Sequence, residues 1–264
     1  MTAYAEACDV VPPMSPRLDY LLELEAASIP RRADWLEKNR NFDISHALFD
    51  LFRTSIAKSS DEPNETAFVA TCILRRVASK KRILTTSQKE SYALGALLLA
   101  SKICEENDPK VSDLIRYANY QVSVEQVLAA ERRLALELEW SFQFASPTEL
   151  GYAMLDCLCV EGNGLRPNVK MAIMAVAEPV IYDWLFDEPD YRPSLLVAAV
   201  LSAVFVYIFK SKRQWVSYFA SLLHYPRLLE QGSGVAVDVS GMLAEIYVQI
   251  RECVEAEIVG LVEK

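Results

Sequence analysis

Apolar residues recur along most of this chain at the three- and four-residue intervals of an amphipathic α-helix. Residues 42–58 illustrate the pattern, because the apolar positions 44, 47, 48, 51, 52 and 56 fall on one helical face. Further helices are predicted over residues 16–28, 65–79, 91–103, 111–117, 124–139, 147–160, 168–186, 193–210, 214–224 and 238–262. The pattern therefore predicts an all-α protein, with a kink where Pro179 interrupts one helix.

A capping signal indicates where the chain divides. Ser146 opens the sequence Ser-Pro-Thr-Glu, which has the form of a helix start with Pro at the first helical position. It follows residues 140–145, a short segment that does not continue the preceding helical pattern. We therefore expect a domain boundary within or just after this segment.

Composition excludes several classes of protein. The 264 residues are 52% hydrophobic and 24% charged, which is a globular composition and not that of a disordered or fibrous chain. The six cysteines form no C-x-x-C pair and only two histidines are present, so we expect neither a zinc site nor another cofactor. Free thiols are typical of a reducing compartment, and we expect an intracellular protein, nuclear, cytoplasmic or both.

Charge and hydropathy argue against nucleic acid and membranes as partners. The formal net charge is −9, whereas binding to a phosphate backbone depends on Lys and Arg. The longest apolar run, residues 195–209, has 15 residues, fewer than the roughly 20 that a membrane-spanning helix needs. Residues 1–16 also lack the basic and apolar regions of a signal peptide. We therefore expect the apolar run to be the central buried helix of a helical domain.

The sequence contains no recognisable catalytic constellation. It lacks the G-x-S-x-G nucleophile motif, a glycine-rich phosphate loop and the H-E-x-x-H zinc motif. The histidines, His46 and His224, are far apart and leave little imidazole for acid–base chemistry. We therefore expect a protein that is not an enzyme.

The most informative residue is a charged one that lies on the apolar face of a predicted helix. In the predicted helix 124–139, which begins with a capping box at Ser123, the position that completes the apolar face is Glu131. A carboxylate in such a place costs roughly several kcal/mol unless it meets a cation. Lys102 ends an apolar row on the predicted helix 91–103, so the acid and the amine can form one partly buried pair.

This pair has two interpretations. It can be an internal salt bridge that fixes the packing of two helices, and the spacing alone favours this reading. It can also be a charged clamp at an interface, where another protein uses the remaining hydrogen-bonding capacity of the ammonium and the carboxylate.

Several segments of the chain resemble the cyclin family. Residues 93–107, ALGALLLASKICEEN, are similar to the third helix of the cyclin box, and residues 64–77, NETAFVATCILRRV, are similar to the second. Residues 122–140, VSVEQVLAAERRLALELEW, resemble the fifth helix, with its Glu followed nine residues later by an aromatic residue. Residues 146–150 and 191–201 resemble the start and the central helix of a second cyclin fold.

The resemblance implies two tandem five-helix cyclin-type domains, residues 42–145 and 146–264, after an N-terminal extension with a helix in residues 1–41. It also implies a non-catalytic regulatory subunit that forms a heterodimer with a cyclin-dependent protein kinase and activates it. Such a subunit holds the mobile C-helix of the kinase inward, so that the Glu of this helix meets the Lys that positions ATP.

The resemblance assigns contacts with the kinase to six residues. In the family, the residues that match Lys102 and Glu131 make hydrogen bonds to the kinase backbone near the C-helix. The other matching contact positions are three apolar residues and one acid: Leu99, Ile103, Trp140 and Glu105. With the resemblance taken into account, the interface interpretation of the ion pair is favoured over the internal bridge.

The first helix of the box departs from the pattern of cell-cycle cyclins. The docking Trp of the M-R-A-I-L-x-D-W pattern corresponds to Leu51, its Arg to Ser45, and the usual Asp partner of that Arg to Arg75. Substrate docking through the groove at this helix is therefore in question. The departure is compatible with a non-mitotic member of the family, for example a transcriptional or nutrient-responsive one.

Two segments keep alternative roles. The basic segment, residues 75–82, can be a nuclear import signal or a group of solvated cations that complement a helix C-terminus, and the second reading is favoured. The apolar N-terminal helix, residues 16–28, can pack on the cyclin box or contact the kinase.

Two other functions compete with kinase activation. One is a cyclin-fold binding module, such as a transcription-factor or pocket-type adaptor, although a net charge of −9 does not favour those that bind DNA. The other is a helical enzyme or a membrane-anchored protein, for which the sequence offers no motif.

Overall fold

The computed structural model of this protein describes residues 15–29, 65–80, 86–106, 109–118, 120–158, 166–187 and 192–209. Within these ranges the regular structure is α-helical, and no strand occurs. The helices are α1 (Pro16–Ser28), α2 (Glu65–Lys80), α3 (Thr86–Cys104), α4 (Val111–Ala118), α5 (Val124–Glu137), α6 (Pro147–Leu158), α7 (Pro167–Asp187) and α8 (Pro193–Phe209). The all-α prediction is confirmed. The predicted helices 42–58, 214–224 and 238–262 lie outside the described residues.

The predicted capping signals lie where helices begin. Ser123 is the N-cap of α5, its side chain accepts a hydrogen bond from the backbone N–H of Gln126, and the Gln126 side chain accepts one from the backbone N–H of Ser123. These two bonds satisfy backbone donors that the first turn of a helix leaves open. α6 begins at Pro147, directly after Ser146, and α7 continues through Pro179.

The contacts divide the chain into two compact units. One contains residues 26–146 and 186–190, and the other contains residues 1–25, 147–185 and 191–264. Most of α1 therefore groups with α6, α7 and α8. The prediction of two five-helix domains that meet at residues 145 and 146 stays a prediction, because the described residues do not include all the helices that it requires.

In the unit that carries α2–α5, helix α3 is the central element and packs against α2 and α5. Every residue from Ser91 to Ser101 is buried, so α3 is apolar around most of its circumference. Gly95 allows a close approach to α5: a Cβ atom at this position would lie 2.9 Å from the backbone nitrogen of Glu131. Gly95 therefore sets the distance between the two helices at the level of Glu131.

In the other unit, α8 is the buried helix that its apolar sequence predicts. Residues 193–201 and 203–205 are all buried, and α8 packs against α6. None of the helices in the described ranges combines the length and the apolar character needed to cross a membrane.

A buried acid connects α1 with the start of α8. Glu25 is 0% exposed, and it accepts one hydrogen bond from the backbone N–H of Ser194 at 2.7 Å and another from the Ser194 hydroxyl at 2.6 Å. The residue before the helix, Arg192, accepts the first backbone bonds of α8 but has no side-chain acceptor for the free N–H groups. Glu25 supplies this acceptor from a distant part of the sequence and docks α1 within its unit.

Candidate functional site

The packing of α3 on α5 brings the two predicted charged positions together. The Lys102 ammonium donates a hydrogen bond to Glu131 Oε1 at a distance of 2.6 Å. The Lys102 side chain is 40% exposed and the Glu131 side chain is 12% exposed, so the carboxylate is mostly covered and the ammonium faces solvent. The ion pair that the sequence predicts is therefore present, and it lies at the edge of the helix packing.

The ion pair retains hydrogen-bonding capacity toward solvent. An ammonium group has three N–H donors, and among the described residues Glu131 takes one of them. The second carboxylate oxygen and its lone pairs add acceptor capacity. Such a pair can receive backbone carbonyl and N–H groups from another chain without first breaking its own hydrogen bond.

We expect this ion pair to contribute little to the stability of the isolated protein. Replacing Lys102 by Ala should lower the free energy of unfolding by about 1 kcal/mol or less, because a partly exposed salt bridge gains little over hydration of its ions. Urea denaturation of the wild type and the variant checks this expectation. A loss of about 3 kcal/mol or more would assign the pair to the folding of the protein and contradict its placement at an edge.

The two apolar positions on α3 differ in exposure. Ile103 is 43% exposed beside Lys102, whereas Leu99, one turn earlier, is 7% exposed. Ile103 therefore leaves apolar surface exposed to solvent. Leu99 is largely covered by its own chain, so any contact that it makes with a partner is limited to its exposed edge.

Glu105 already has a partner within the chain. Its carboxylate accepts a hydrogen bond from the Thr66 hydroxyl at the start of α2, and its backbone N–H donates to Ser101 O at 2.8 Å. Burial, together with the nearby carboxylate of Glu65, raises the pKa of the neighbouring Cys104 thiol to about 11. Glu105 therefore helps to hold the end of α3 against α2, and Cys104 stays protonated near neutral pH.

Trp140 lies in a tight turn at the end of α5. The N–H of Trp140 bonds to Ala135 O and the N–H of Glu139 bonds to Leu136 O, each at 3.0 Å, which is the bond pattern of a Schellman motif. Glu139 and Trp140 have φ angles of 53° and 59°, in the left-handed region that disfavours residues other than glycine. The Trp140 side chain is 66% exposed and meets the Phe142 ring edge-on, with centroids 6.2 Å apart.

The structure thus brings together some of the predicted contact residues and not others. Lys102 and Glu131 form a direct pair, and Ile103 is exposed next to Lys102. Trp140 is exposed at the end of α5, while Leu99 is buried and Glu105 is bonded to α2. The role of each residue in binding a kinase stays a prediction.

The basic segment is not uniformly exposed to solvent. Arg75 is buried at 7% exposure, which corrects the view of the whole segment as a solvated group. Arg76 donates to the backbone carbonyl of Ser141 and Lys80 donates to that of Glu137, each at 3.2 Å. Arg76 and Lys80 therefore complement the C-terminal end of α5, as one of the two sequence interpretations expects, and residues 81 and 82 of the segment lie outside the described residues.

Sequence reasoning missed Gly95 and the roles of Arg76 and Lys80. A small residue inside an otherwise bulky apolar helix is the signal that indicates close helix packing, and Gly95 lies in the segment ALGALLLA. The targets of Arg76 and Lys80 carry no sequence signal, because both are backbone carbonyl groups more than 50 residues away.

Thiols and carboxylates in the described ranges do not converge on a metal site. Cys72, Cys104 and Cys157 are thiols that take part in no disulfide. No group of three or more His, Cys, Asp or Glu side chains in these ranges is arranged to hold a metal ion.

Comparison with known proteins places these helices in a family. Residues 18–143 match the model of the cyclin N-terminal domain. The chain is 30% identical over 145 residues to the G2/mitotic-specific cyclin-2 of Antirrhinum majus, a match that covers 53% of this chain and 30% of the plant protein. The chain thus spans about a third of the length of this curated relative.

A solved structure shows the same fold. A viral cyclin from herpesvirus saimiri superposes with a TM-score of 0.62 at 16% sequence identity, and the match covers 91% of this chain and 97% of the viral chain. At this identity the similarity establishes the fold and leaves function open. Residues 18–143 therefore belong to the cyclin N-terminal domain family, and the chain has the cyclin fold.

Proposed function

We propose that this protein is a non-catalytic regulatory subunit that binds a cyclin-dependent serine/threonine protein kinase and activates it. The observation that carries the proposal is the Lys102–Glu131 ion pair, which lies at the edge of the α3–α5 packing with donors and acceptors left for another chain. Cyclin-family membership supplies the class of partner. The chain would act inside the cell, in the nucleus or the cytoplasm.

The proposed mechanism is a shift in the conformational population of the kinase. The ammonium of Lys102 donates to backbone carbonyl groups near the kinase C-helix, and the carboxylate of Glu131 accepts from backbone N–H groups there. Ile103 and Trp140 add exposed apolar surface next to the pair. Tryptophan is among the residue types that contribute most to binding energy at protein interfaces. Binding the inward position of the C-helix more tightly than the outward one populates the active kinase.

The covered carboxylate makes this ion pair suited to specific recognition. Glu131 is 12% exposed, so a partner that docks over it removes little further water from the acid. Docking therefore removes less water from Glu131 than from a fully exposed acid, whereas most of the desolvation cost falls on Lys102. A partner backbone that reaches the pair meets a charge fixed in place by the α3–α5 packing.

A second candidate function is a cyclin-fold adaptor that binds a protein partner without activating a kinase. Two observations favour it: Leu99 is 7% exposed, and Glu105 is bonded to Thr66. Two of the six predicted kinase contacts are thus engaged within the chain. An adaptor would retain partner binding and produce no increase in kinase activity.

An activation assay separates the two functions. We expect the full-length protein to capture a member of a panel of cyclin-dependent kinases and to raise its phosphotransfer rate by about 100-fold or more, in the range that conformational activation of a two-state enzyme can reach. Lys102→Ala and Glu131→Ala should each weaken capture by about 30-fold or more and reduce activation accordingly. Lys110→Ala, which removes another exposed lysine of the same unit, should have no effect. Capture without activation would favour the adaptor, and no capture of any kinase in the panel would refute the proposal.

A further inference from the structure

The basic segment of α2 reaches the turn that carries Trp140. Arg76 Nη1 donates to Ser141 O and Lys80 Nζ donates to Glu137 O, each at 3.2 Å. Arg76 and Lys80 are four residues apart and lie on one face of α2. Their two hydrogen bonds therefore bracket residues 137–141, one at each end of the turn.

The intrinsic φ/ψ preferences of its residues do not favour the conformation of this turn. Glu139 and Trp140 both occupy the left-handed region, with φ angles of 53° and 59°, although neither is glycine. A strained backbone conformation of this kind persists only where contacts with surrounding residues stabilise it. Such conformations are found most often at functional sites. Trp140 is 66% exposed at the end of this turn, so the strain does not serve the burial of its side chain.

The positive charges of Arg76 and Lys80 strengthen their two hydrogen bonds to the turn. The carbonyl of Glu137 belongs to the last turn of α5, where free carbonyl groups carry partial negative charge. Lys80 neutralises this end of α5, and Arg76 holds the chain directly after Trp140. Both cations thus act on the backbone of the turn and leave the indole ring available.

We propose that Arg76 and Lys80 are positioning residues for partner binding, which hold the strained turn so that Trp140 is presented in its binding orientation. The inference rests on the proposed function, in which Trp140 contacts the kinase. A turn that is already ordered in the free protein removes part of the entropic cost of association. The basic segment then has a role beyond stabilising a helix end.

The test uses the full-length protein labelled with 5-fluorotryptophan. Four tryptophans are present, and Trp140→Phe identifies the ¹⁹F resonance of Trp140. In the double variant Arg76→Ala/Lys80→Ala we expect this resonance to shift and broaden, and affinity for the captured kinase to fall about five- to tenfold, a moderate effect because both bonds are partly solvated. The double variant Lys110→Ala/Arg116→Ala removes the same charge from exposed positions of the same unit and should change neither quantity.

Conservative replacement separates positioning from general stability. Arg76→Lys/Lys80→Arg keeps both cations and should restore most of the affinity and the original resonance. If the double alanine variant fails to fold, Lys80→Ala alone should give smaller changes in the same directions, since Lys80 is exposed. An unchanged Trp140 resonance in a folded alanine variant would overturn the inference.

Failure of the inference is distinguishable from failure of the proposed function. If Trp140→Ala weakens kinase binding but Arg76→Ala/Lys80→Ala does not, the inference is wrong and the proposed function stands. If the wild type binds no kinase, the proposed function fails, and the ¹⁹F resonance of the free protein alone then decides whether the two cations hold the turn.

Discussion

Replacing Gly95 by Ala should lower the free energy of unfolding by about 1–3 kcal/mol, although alanine is the better helix former by about 1 kcal/mol. The added Cβ would lie 2.9 Å from the backbone nitrogen of Glu131 and 3.2 Å from both the carbonyl carbon and the Cβ of Ala130. Backbone atoms within a helix cannot move aside as a flexible side chain does. α3 and α5 must therefore separate, and this movement pulls Glu131 away from Lys102.

Gly151 provides a matched control for this substitution. A Cβ atom at Gly151 would meet the end of the Met174 side chain, with Cε at 2.6 Å and Sδ at 2.7 Å. Methionine has three rotatable bonds and repacks easily, so Gly151→Ala should leave stability unchanged or raise it by up to about 1 kcal/mol. Urea denaturation of the two variants tests the contrast, and equal effects would show that the α3–α5 approach is not tight.

Replacing Glu25 by Ala should lower the free energy of unfolding at pH 5 by about 2–4 kcal/mol. The substitution leaves the backbone N–H and the hydroxyl of Ser194 without their acceptor, and Ser194 is 0% exposed. Each buried polar group left without a partner costs about 1–3 kcal/mol, and the deleted side chain leaves a cavity. Glu25→Gln keeps an acceptor and a similar volume, so it should retain most of the stability.

The same residue should give the protein a characteristic pH dependence. Burial raises the pKa of Glu25 above its ordinary value of 4.5, although the hydrogen bonds from Ser194 and the positive charge of Arg192 act in the opposite direction. The folded protein therefore holds this proton more tightly than the unfolded chain. Its contribution to stability is largest below pH 4.5, and it falls as the pH rises from 4.5 through the raised pKa of the folded state.

A comparison of urea denaturation curves between pH 4.5 and pH 8 isolates this contribution. The wild type should lose stability relative to Glu25→Gln as the pH rises, because glutamine does not ionise. A difference that stays constant across this range would show that Glu25 does not bind its proton more tightly in the folded state.

Much of the local structure follows from the sequence. The 16–28 helix, the helix after Ser123 and the helix from Pro147 have the predicted starts, because capping residues act within one turn. The same locality explains why Glu131 is recognisable as a carboxylate on an apolar face. Lys102 is recognisable in turn because it ends an apolar row on its own helix.

Features that depend on distant parts of the chain are harder to predict. Glu25 lies three residues after Leu22 and seven after Leu18, on the apolar face of α1, and this is the same kind of signal as that of Glu131. Its partner Ser194 is 169 residues away and has no charge, so no pattern of charges connects them. The left-handed turn at Glu139 and Trp140 also escapes prediction, because its sequence contains no glycine.

The predicted kinase-contact residues differ in solvent exposure, and this difference does not follow from their residue types. Leu99 and Ile103 are both apolar and four residues apart on α3, yet one is 7% and the other 43% exposed. The difference arises because the covered face of α3 ends near its last turn. Family resemblance identifies the positions, and the packing of α3 determines how much of each side chain a partner can reach.

The most direct test of the account is a double-mutant cycle on kinase affinity, with Lys102→Ala, Glu131→Ala and the variant that combines them. We expect each single substitution to weaken binding by about 30-fold or more, since removing one member of a covered charge pair at an interface costs about 2–5 kcal/mol. The combined variant should bind little worse than either single variant, because the two residues act together. Folded single variants that bind the kinase within about twofold of the wild type would contradict the account.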